Sequence, residues 1–542
     1  MSHTNTRTII ATSPKRIRGI AGIFAAPAMG LALLAGICTG AMDAYAQGYV
    51  VAEGGGISGS SAWADEIFSW MVEKVKLTPE HKPVVAIIGA VPLETDDRVP
   101  VFQKAGAGEV RTLVITKENA NDPKVAAQIS TASIVFIRGG DQGRYVGWWK
   151  GTGIDRAIHT VYDKGGVVAG TSAGCAIQGE VTYDALKNSL LPLQILADAQ
   201  HENLSLTHGF LGLVPGVIFD THFTERGRLP RLGVFLARSR ENLHADVIGM
   251  GVDPRTAVCV GIDGIAEIKG EGTVTVLVLD REAEVRLVAG KPPSVPSMSY
   301  AQLPAGAKYD LAKRRVVSWP AWVKQVPDLL PGERPNPRRP MPPGGIVPSD
   351  PYAQRPDPIA LDGSNPELIE RGAWYIRDNS KQPPNEDGGT DEPAKGATLV
   401  QGKGDLPFLI STQTWSERDA WTAMLLGQVA CARENVSATL WIDEGVLGEY
   451  DGKGFLRIES ESTRAAVLLR TDSARIRQAL AKNPPRRSSR GKARERWLVA
   501  IEGARLDILA PGTTADLGQS TSRLGNDRQP TRSPDPIRDA DR

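Results

Sequence analysis

Residues 167–177 read VVAGTSAGCAI, and this stretch decides how the rest of the chain is interpreted. Its first three residues form a short apolar run typical of a buried parallel strand, and the small residues after Ser172 predict a helix. Between them lies a G-x-S-x-G turn, in which a sharp bend exposes a serine hydroxyl above a sheet. The stretch therefore predicts Ser172 as a nucleophile, with the backbone N–H of Ala173 placed to stabilise an oxyanion. The alternative is a glycine-rich turn with a solvated serine.

Apolar runs of the same kind lie on both sides of this turn. They cover residues 49–52, 84–88, 110–115 and 134–137, and helical patterns such as residues 62–75 separate them. Unbroken apolar strands that alternate with helices predict an α/β fold with a doubly wound, mostly parallel sheet covered on both faces. From residue 257 the pattern changes to closely spaced strands and turns, which indicates a hairpin-rich extension of the sheet.

Composition shifts divide the chain into five predicted regions. Residues 319–362 are too rich in proline to pack and are predicted to be a linker. Period-2 apolar alternation in residues 363–512 predicts a smaller, β-rich domain, in which we find no chemical motif. The regions are a signal peptide (1–46), a catalytic domain (47–318), the linker (319–362), a C-terminal domain of unknown role (363–512) and a disordered tail (513–542).

The N-terminal segment has the features of an export signal. Four basic residues precede an apolar run rich in alanine and glycine over residues 20–37, and Ala44-Tyr45-Ala46 supplies an A-x-A cleavage site. This pattern predicts a secretory signal peptide cleaved near Ala46, and hence a secreted or periplasmic mature protein. A retained membrane anchor is the alternative, but the run is short of the ~20 apolar residues that a span requires.

Composition excludes several classes of function. The 63 Lys and Arg residues balance 62 Asp and Glu residues, so the net charge of +1 creates no global field that would attract nucleic acid or an anionic membrane. Outside the signal peptide no segment predicts stable membrane insertion. Of the four cysteines, Cys38 lies in the predicted signal peptide and the other three have no metal-site spacing, so we expect neither a metal ion nor a cofactor.

A second glycine-rich strand end precedes the predicted nucleophile by about thirty residues. The strand 134–137 ends in Gly139-Gly140-Asp141-Gln142, whose backbone could supply another oxyanion donor. Ligands of open α/β sheets bind at the carboxyl ends of the strands, where both motifs are predicted to lie. The alternative is a tight turn before a helix.

The predicted base follows a third strand. The run Val217-Ile218-Phe219 continues as DTHFTERGRLPR, which contains His222 and three arginines about a helix N-terminus. A histidine at a strand end can reach a serine on a neighbouring strand end, and guanidinium groups at a helix N-terminus form a site for carboxylates or phosphates. A structural histidine and solvated arginines are the alternatives. No histidine follows His244, so an α/β-hydrolase, whose catalytic histidine comes late in the chain, fits poorly.

The combination of GGDQ, GTSAG and D-x-H-F-x-x-R-G-R-x-x-R resembles the cyanophycinase and aspartyl dipeptidase (dipeptidase E) family of serine peptidases. The resemblance covers roughly residues 48–300 and implies a flavodoxin-like fold with a Ser-His-acid triad. It also implies cleavage of isoaspartyl (β-aspartyl) bonds in a peptide or polymer, with cyanophycin giving β-Asp-Arg dipeptides, and a homodimer would fit it. The residues that it assigns are the nucleophile Ser172 and base His222, the oxyanion-hole residues Gly140 and Ala173, and the substrate-binding residues Gln142, Asp220, Arg226, Arg228 and Arg231.

Two positions depart from the family pattern. Thr221 replaces a glutamine that helps to hold substrate in the family. The segment 249–257, GMGVDPRTA, carries Pro254 where the family has its triad acid. The adjacent Asp253 is our predicted triad acid, although successive residues of an extended chain point to opposite sides. Glu180 and Asp246 are weaker alternatives.

Three functions remain open from the sequence. The first is an exported serine peptidase that hydrolyses isoaspartyl bonds. The second, motivated by Pro254, is a catalytically impaired binding protein that retains the arginine pocket, since a triad without an orienting acid loses about 10⁴-fold in rate. The third is an esterase, which the histidine distribution disfavours.

Overall fold

The computed structural model describes residues 47–57, 59–323, 373–375, 399–400, 408–411, 438–441, 446–450, 455–470, 486–487, 497–498 and 500–516. These residues all fall within the unit Tyr45–Arg542. The predicted signal peptide, nearly all of the predicted linker and residues 517–542 of the predicted tail lie outside the described residues.

Within the described ranges the helices lie in the first half of the chain, and none of them is long and apolar enough to cross a bilayer. A short 3-10 turn, Thr224–Arg226, follows the strand that carries the predicted base. The helices are α1 (Ala62–Val75), α2 (Arg98–Lys104), α3 (Pro123–Ser130), α4 (Gln142–Trp149), α5 (Gly153–Asp163), α6 (Ala173–Ala176), α7 (Pro192–Ala197) and α8 (Leu229–Leu243).

The strands run through both halves of the chain. They are β1 (Tyr49–Glu53), β2 (Val85–Gly89), β3 (Val110–Val114), β4 (Ile134–Ile137), β5 (Val167–Thr171), β6 (Gly179–Tyr183), β7 (Leu206–His208), β8 (Val214–Asp220), β9 (Ile248–Val252), β10 (Thr256–Val260), β11 (Ile265–Gly270), β12 (Thr273–Leu279), β13 (Val295–Pro304), β14 (Lys308–Asp310), β15 (Arg315–Ser318), β16 (Ala373–Tyr375), β17 (Leu399–Val400), β18 (Phe408–Ser411), β19 (Ala438–Trp441), β20 (Leu447–Tyr450), β21 (Phe455–Ile458), β22 (Ala466–Arg470), β23 (Arg486–Arg487), β24 (Trp497–Leu498), β25 (Ile501–Leu509) and β26 (Thr514–Asp516).

The first sheet has the strand order β15-β14-β11-β10-β1-β5-β4-β2-β3. Strands β1 to β5 pair in parallel, and the antiparallel hairpins of β10, β11, β14 and β15 extend the sheet beyond β1. Alternate residues of β1 enter different cores: Val50 packs in the cluster that contains Ile158 of α5, and Val51 packs with Phe68 of α1. Helices therefore cover both faces, which confirms the predicted doubly wound α/β fold.

The second sheet has the order β7-β6-β8-β9-β12-β13-β25-β22-β19-β18-β17. Its strands β6, β8 and β9 are parallel, and β13 pairs with β25 in an antiparallel ladder, so the C-terminal region contributes strands to the sheet that carries the predicted base. Leu506 of β25 is buried in one core cluster with Phe235 of α8. Every element described beyond residue 363 is a strand.

Candidate active site

Ser172 lies on a strained turn between β5 and α6. Its φ of 52° falls in the left-handed region that residues with a Cβ rarely adopt, at a cost on the order of 1–3 kcal/mol. Its backbone N–H donates to the carbonyl oxygen of Glu53, 2.9 Å away at the end of β1. A Cβ at Gly174 would lie 2.9 Å from the Arg138 carbonyl oxygen, so the turn requires a glycine at that position. This is the geometry of a nucleophile elbow.

His222 meets this serine from the second sheet. Its Nε2 atom lies 2.9 Å from Ser172 Oγ, which is within hydrogen-bond distance for proton transfer. His222 follows β8, also has a positive φ (45°), and its backbone N–H donates to the Gly54 carbonyl oxygen at 2.8 Å. Each residue follows the carboxyl end of a strand, but β5 belongs to the first sheet and β8 to the second, so the two strands are not neighbours in one sheet as predicted from the sequence.

A carboxylate completes a chain of contacts through the imidazole. Glu225 Oε2 lies 3.2 Å from His222 Nδ1, on the 3-10 turn that begins two residues after the histidine. A carboxylate at Nδ1 fixes the tautomer that leaves Nε2 free to accept the serine proton. Glu225 was not among the predicted site residues, although a glutamate three residues after a histidine on a tight turn is a signal that could have indicated it.

Asp253, the predicted triad acid, makes different contacts. Its Oδ1 accepts hydrogen bonds from the backbone N–H and hydroxyl of Thr224, and its Oδ2 accepts them from the same groups of Thr273. These four bonds hold the carboxylate between the two threonines. Because the strand β9 directs Asp253 toward the threonines, the carboxylate that contacts His222 Nδ1 is that of Glu225, and Asp253 anchors the turn that carries Glu225.

The two weaker candidates for the acid also have other partners. Glu180 accepts a hydrogen bond from the backbone N–H of Gly216 and lies 3.3 Å from His208, while Asp246 pairs with Arg240 at 3.0 Å. The spatial position of either carboxylate relative to His222 could not be predicted from the sequence.

Burial sets the charge state of the base. Desolvation lowers the pKa of His222 below its ordinary 6.5, the Glu225 carboxylate opposes this effect, and Arg226 and Arg228 add to it. The imidazole is therefore neutral at pH 7 and able to accept a proton.

A polar pocket of about 540 Å³ opens on one side of Ser172. Its walls include Gly140 and Gln142, together with Thr221, Arg226 and Arg228. Burial, with Arg231 nearby, lowers the pKa of Arg228 to about 9, which leaves the guanidinium charged at neutral pH. Two cations beside a serine suit a substrate that carries a carboxylate.

Asp220 and Arg231, which the resemblance assigned to substrate binding, are buried against each other. Their side chains are 3% and 1% exposed, and two Arg231 nitrogens donate to the two Asp220 oxygens at 2.7 and 2.5 Å. Burial alone would raise the pKa of Asp220, but Arg231 and Arg228 outweigh it and hold the pKa below its usual value. A buried bidentate pair of this kind supports the loop that carries Arg226 and Arg228. It is these two arginines that line the pocket.

The two predicted oxyanion donors lie at neighbouring strand ends. Gly140 follows β4 with a φ of 146°, which only glycine adopts readily, and Ala173 is the first residue of α6. The Tyr145 hydroxyl lies 2.9 Å from the Arg138 carbonyl oxygen and 3.0 Å from that of Gly139. Tyr145 thereby fixes the backbone on which Gly140 lies.

The fold and the Ser172–His222 pair define the class of serine-type peptidases built on a doubly wound α/β sheet. Residues 92–267 match the family model described as Peptidase family S51. The chain is 31% identical over 224 residues to a cyanophycinase of Trichormus variabilis, covering 40% of this chain and 71% of that protein. It is 30% identical over 203 residues to a cyanophycinase of Synechococcus elongatus, covering 35% and 58% respectively. A solved peptidase from an acI-B1 Actinobacterium aligns with 20% identity and a TM-score of 0.34, over 49% of this chain and 98% of that one.

The chain therefore belongs to peptidase family S51. The resemblance that GGDQ, GTSAG and the histidine–arginine motif indicated is confirmed.

Proposed function

We propose that this peptidase hydrolyses isoaspartyl peptide bonds, with Ser172 as nucleophile, His222 as base and Glu225 as the orienting carboxylate. The continuous contact from Ser172 Oγ through the imidazole to Glu225 Oε2, beside a pocket with two arginines, is the observation that carries the proposal. The relatives named above are cyanophycinases, so cyanophycin is the polymer to test first.

In this mechanism Ser172 Oγ attacks the scissile carbonyl carbon while its proton moves to His222 Nε2. The backbone N–H groups of Gly140 and Ala173 stabilise the oxyanion of the tetrahedral intermediate. Protonated His222 then gives its proton to the leaving nitrogen, and the C–N bond breaks to leave an acyl-enzyme. A water molecule deprotonated by His222 hydrolyses the ester, releases the aspartyl product and restores Ser172.

The arginine pocket explains why an aspartyl acyl group is favoured. An aspartate linked through its β-carboxyl group retains a free α-carboxylate, or an α-carbonyl in a polymer, close to the reacting carbon. Arg226 and Arg228 line the pocket beside Ser172 and supply a positive charge at that position. A simple ester has no matching anion, so the pocket gives it no comparable binding.

The test is incubation of the purified protein with cyanophycin and with a β-aspartyl dipeptide, followed by mass spectrometry of the products. Release of aspartate from the β-aspartyl dipeptide by the wild type and by Ser130→Ala, a serine at the end of α3, but not by Ser172→Ala supports the proposal. With cyanophycin, release of free arginine would report hydrolysis of the isoaspartyl bond, whereas release of β-Asp-Arg would report cleavage of the backbone bond on the carboxyl side of the β-linked aspartate. Labelling of Ser172 by a fluorophosphonate without any product from either substrate would contradict the isoaspartyl specificity, and failure to label would favour a binding protein.

We also propose that the protein is exported and that residues 1–46 are removed. The basic, apolar and A-x-A segments of the N-terminus support this location. N-terminal sequencing of the protein recovered from its native host should begin at Gln47, whereas recovery of an intact N-terminus would contradict export with cleavage.

A further inference from the structure

A second pocket also reaches Ser172. Its volume is about 300 Å³, and both it and the arginine pocket include Ser172 in their walls. The residues that line the second pocket are Gly56, Ile57, Val91, Leu93, Arg98, Arg138, Gly139, Thr171, Ser172 and His222.

The reaction assigns a role to each pocket. His222 must give its proton to the leaving nitrogen, so the leaving group has to lie against the imidazole. His222 lines the second pocket, whereas Gly140, Arg226 and Arg228 line the first. The acyl half of the substrate therefore occupies the first pocket, and the leaving amino acid occupies the second.

Arg138 is a buried cation in the leaving-group pocket. It is 4% exposed, one Nη donates to the Val91 carbonyl oxygen, and its Nε has no hydrogen-bond partner. Among the described residues no carboxylate lies within ion-pair distance of Arg138, and the carboxylate that influences it through space, Asp96, is paired with Arg98 at 2.5 Å. Burial accordingly lowers the pKa of Arg138.

The backbone makes room for this guanidinium. A Cβ at Gly89, the last residue of β2, would lie 2.7 Å from an Arg138 Nη atom, so the side chain packs over the end of the strand only because residue 89 is a glycine. A buried cation without an ion pair is costly unless a ligand supplies the anion.

The remaining walls of the pocket are apolar. Ile57 is buried, while Val91 and Leu93 are 48% and 50% exposed and form an aliphatic rim. Arg98 packs over the Phe136 ring with its charge already paired to Asp96. The pocket thus provides an aliphatic surface together with one cation, Arg138, that has no ion pair.

We propose that Arg138 binds the α-carboxylate of the leaving residue, and that the enzyme prefers β-aspartyl peptides whose leaving residue is aliphatic and carries a free carboxyl terminus. This inference rests on the proposed isoaspartyl hydrolysis. The leaving residue carries its carboxylate one carbon from the reacting nitrogen, next to His222, and its side chain extends to the rim of Val91 and Leu93. A leaving arginine would bring a third guanidinium toward Arg98 and Arg138 and is disfavoured by like-charge repulsion.

The test compares β-Asp-Leu with its C-terminal amide, which differ only in the carboxylate. For the wild type we expect kcat/KM to be about 10- to 100-fold higher for the acid, the range of a charge-assisted hydrogen bond. Arg138→Met should lower kcat/KM for the acid by that factor and leave the amide nearly unchanged, and Arg138→Lys should recover part of the preference. Arg156→Met, at an exposed arginine of α5, is the matched control and should change neither substrate. β-Asp-Arg should be cleaved more slowly than β-Asp-Leu.

Equal rates for acid and amide in the wild type would overturn the inference, and this comparison needs no variant that has to fold. An equal loss for both peptides in Arg138→Met, with thermal stability unchanged, would also overturn it. Hydrolysis of neither peptide by the wild type would overturn the proposed isoaspartyl function itself, together with this inference.

Discussion

Gly55 and the imidazole of His222 are packed in direct contact. A Cβ at position 55 would lie 2.6 Å from His222 Nε2, the atom that faces Ser172, and Gly55 has a φ of +129° that other residues rarely adopt. The glycine-rich end of β1 therefore forms the surface against which the base rests. Its role in the site is steric, because it sets how close the ring can come to the first sheet.

Replacement of Gly55 by alanine should displace His222 from the serine. We expect kcat to fall by at least about 100-fold, as for loss of a general base, and the folded state to lose about 1–3 kcal/mol. Gly151→Ala is the matched control, because Gly151 also has a positive φ (74°) but nothing lies near its missing Cβ. A comparable activity loss in both variants would show that backbone strain, and not contact with His222, is responsible.

Glu225→Gln should change both the rate and its pH dependence. Glu225 raises the pKa of His222 against the lowering effects of burial, Arg226 and Arg228, so removal of its charge should lower that pKa further. The acid limb of the kcat/KM profile should move to lower pH than in the wild type, while kcat falls by about 10- to 10⁴-fold. An unchanged limb would show that Glu225 does not act on the imidazole.

Asp253→Asn should act through the position of the turn. The amide nitrogen cannot accept the hydrogen bonds of Thr224 or Thr273, so one pair of donors is left unsatisfied in a buried site. We expect a loss of about 1–3 kcal/mol in the free energy of unfolding and a moderate fall in kcat, without a shift in the acid limb. A shift like that of Glu225→Gln would instead assign Asp253 to the triad.

Glu53 should make stability fall as the pH rises. It is fully buried at the end of β1, accepts a hydrogen bond from the Thr171 hydroxyl, and burial raises its pKa from 4.5 to about 7. Between these values the folded state holds a proton that the unfolded state has lost, so this contribution is complete below pH 4.5 and disappears as the pH passes 7. The loss is on the order of 3 kcal/mol.

Glu53→Gln tests this assignment by chemical denaturation at pH 5 and pH 8. The difference in unfolding free energy between the two pH values should shrink in the variant. If the wild type and the variant show the same difference, another group is responsible for the pH dependence.

The parts of the site that lie directly after a strand could be predicted from the sequence. Ser172, His222 and Gly140 each come directly after a run of apolar residues, the position at which ligands of open α/β sheets bind, although His222 follows a strand of the second sheet. The identity of the carboxylate could not be predicted in this way. It depends on the 3-10 turn that brings Glu225 back to His222 and on the two threonines that bind Asp253. Neither feature produces a periodic pattern of apolar residues in the sequence.

The extent of the second sheet could not be predicted from the local pattern of apolar residues either. Period-2 alternation predicts strands in the C-terminal region, but it carries no information about their partners. Met298 of β13 pairs with Leu506 of β25, and pairing across so many residues is decided by the fit of two edges. The burial of Arg138 could not be predicted for a related reason, since it depends on Gly89 from another strand.

The pairing of β13 with β25 has a consequence for biosynthesis. Until the ribosome has made residues 501–509, β13 is an open edge of ten residues, most of them buried in the finished protein, and such an edge is a template for aggregation. This edge of β13 is therefore covered only after almost the entire chain has been synthesised. A shortened protein that ends after β15 would contain Ser172, His222 and Glu225 but would leave the edge of β13 uncovered. We expect it to be recovered mainly as insoluble material.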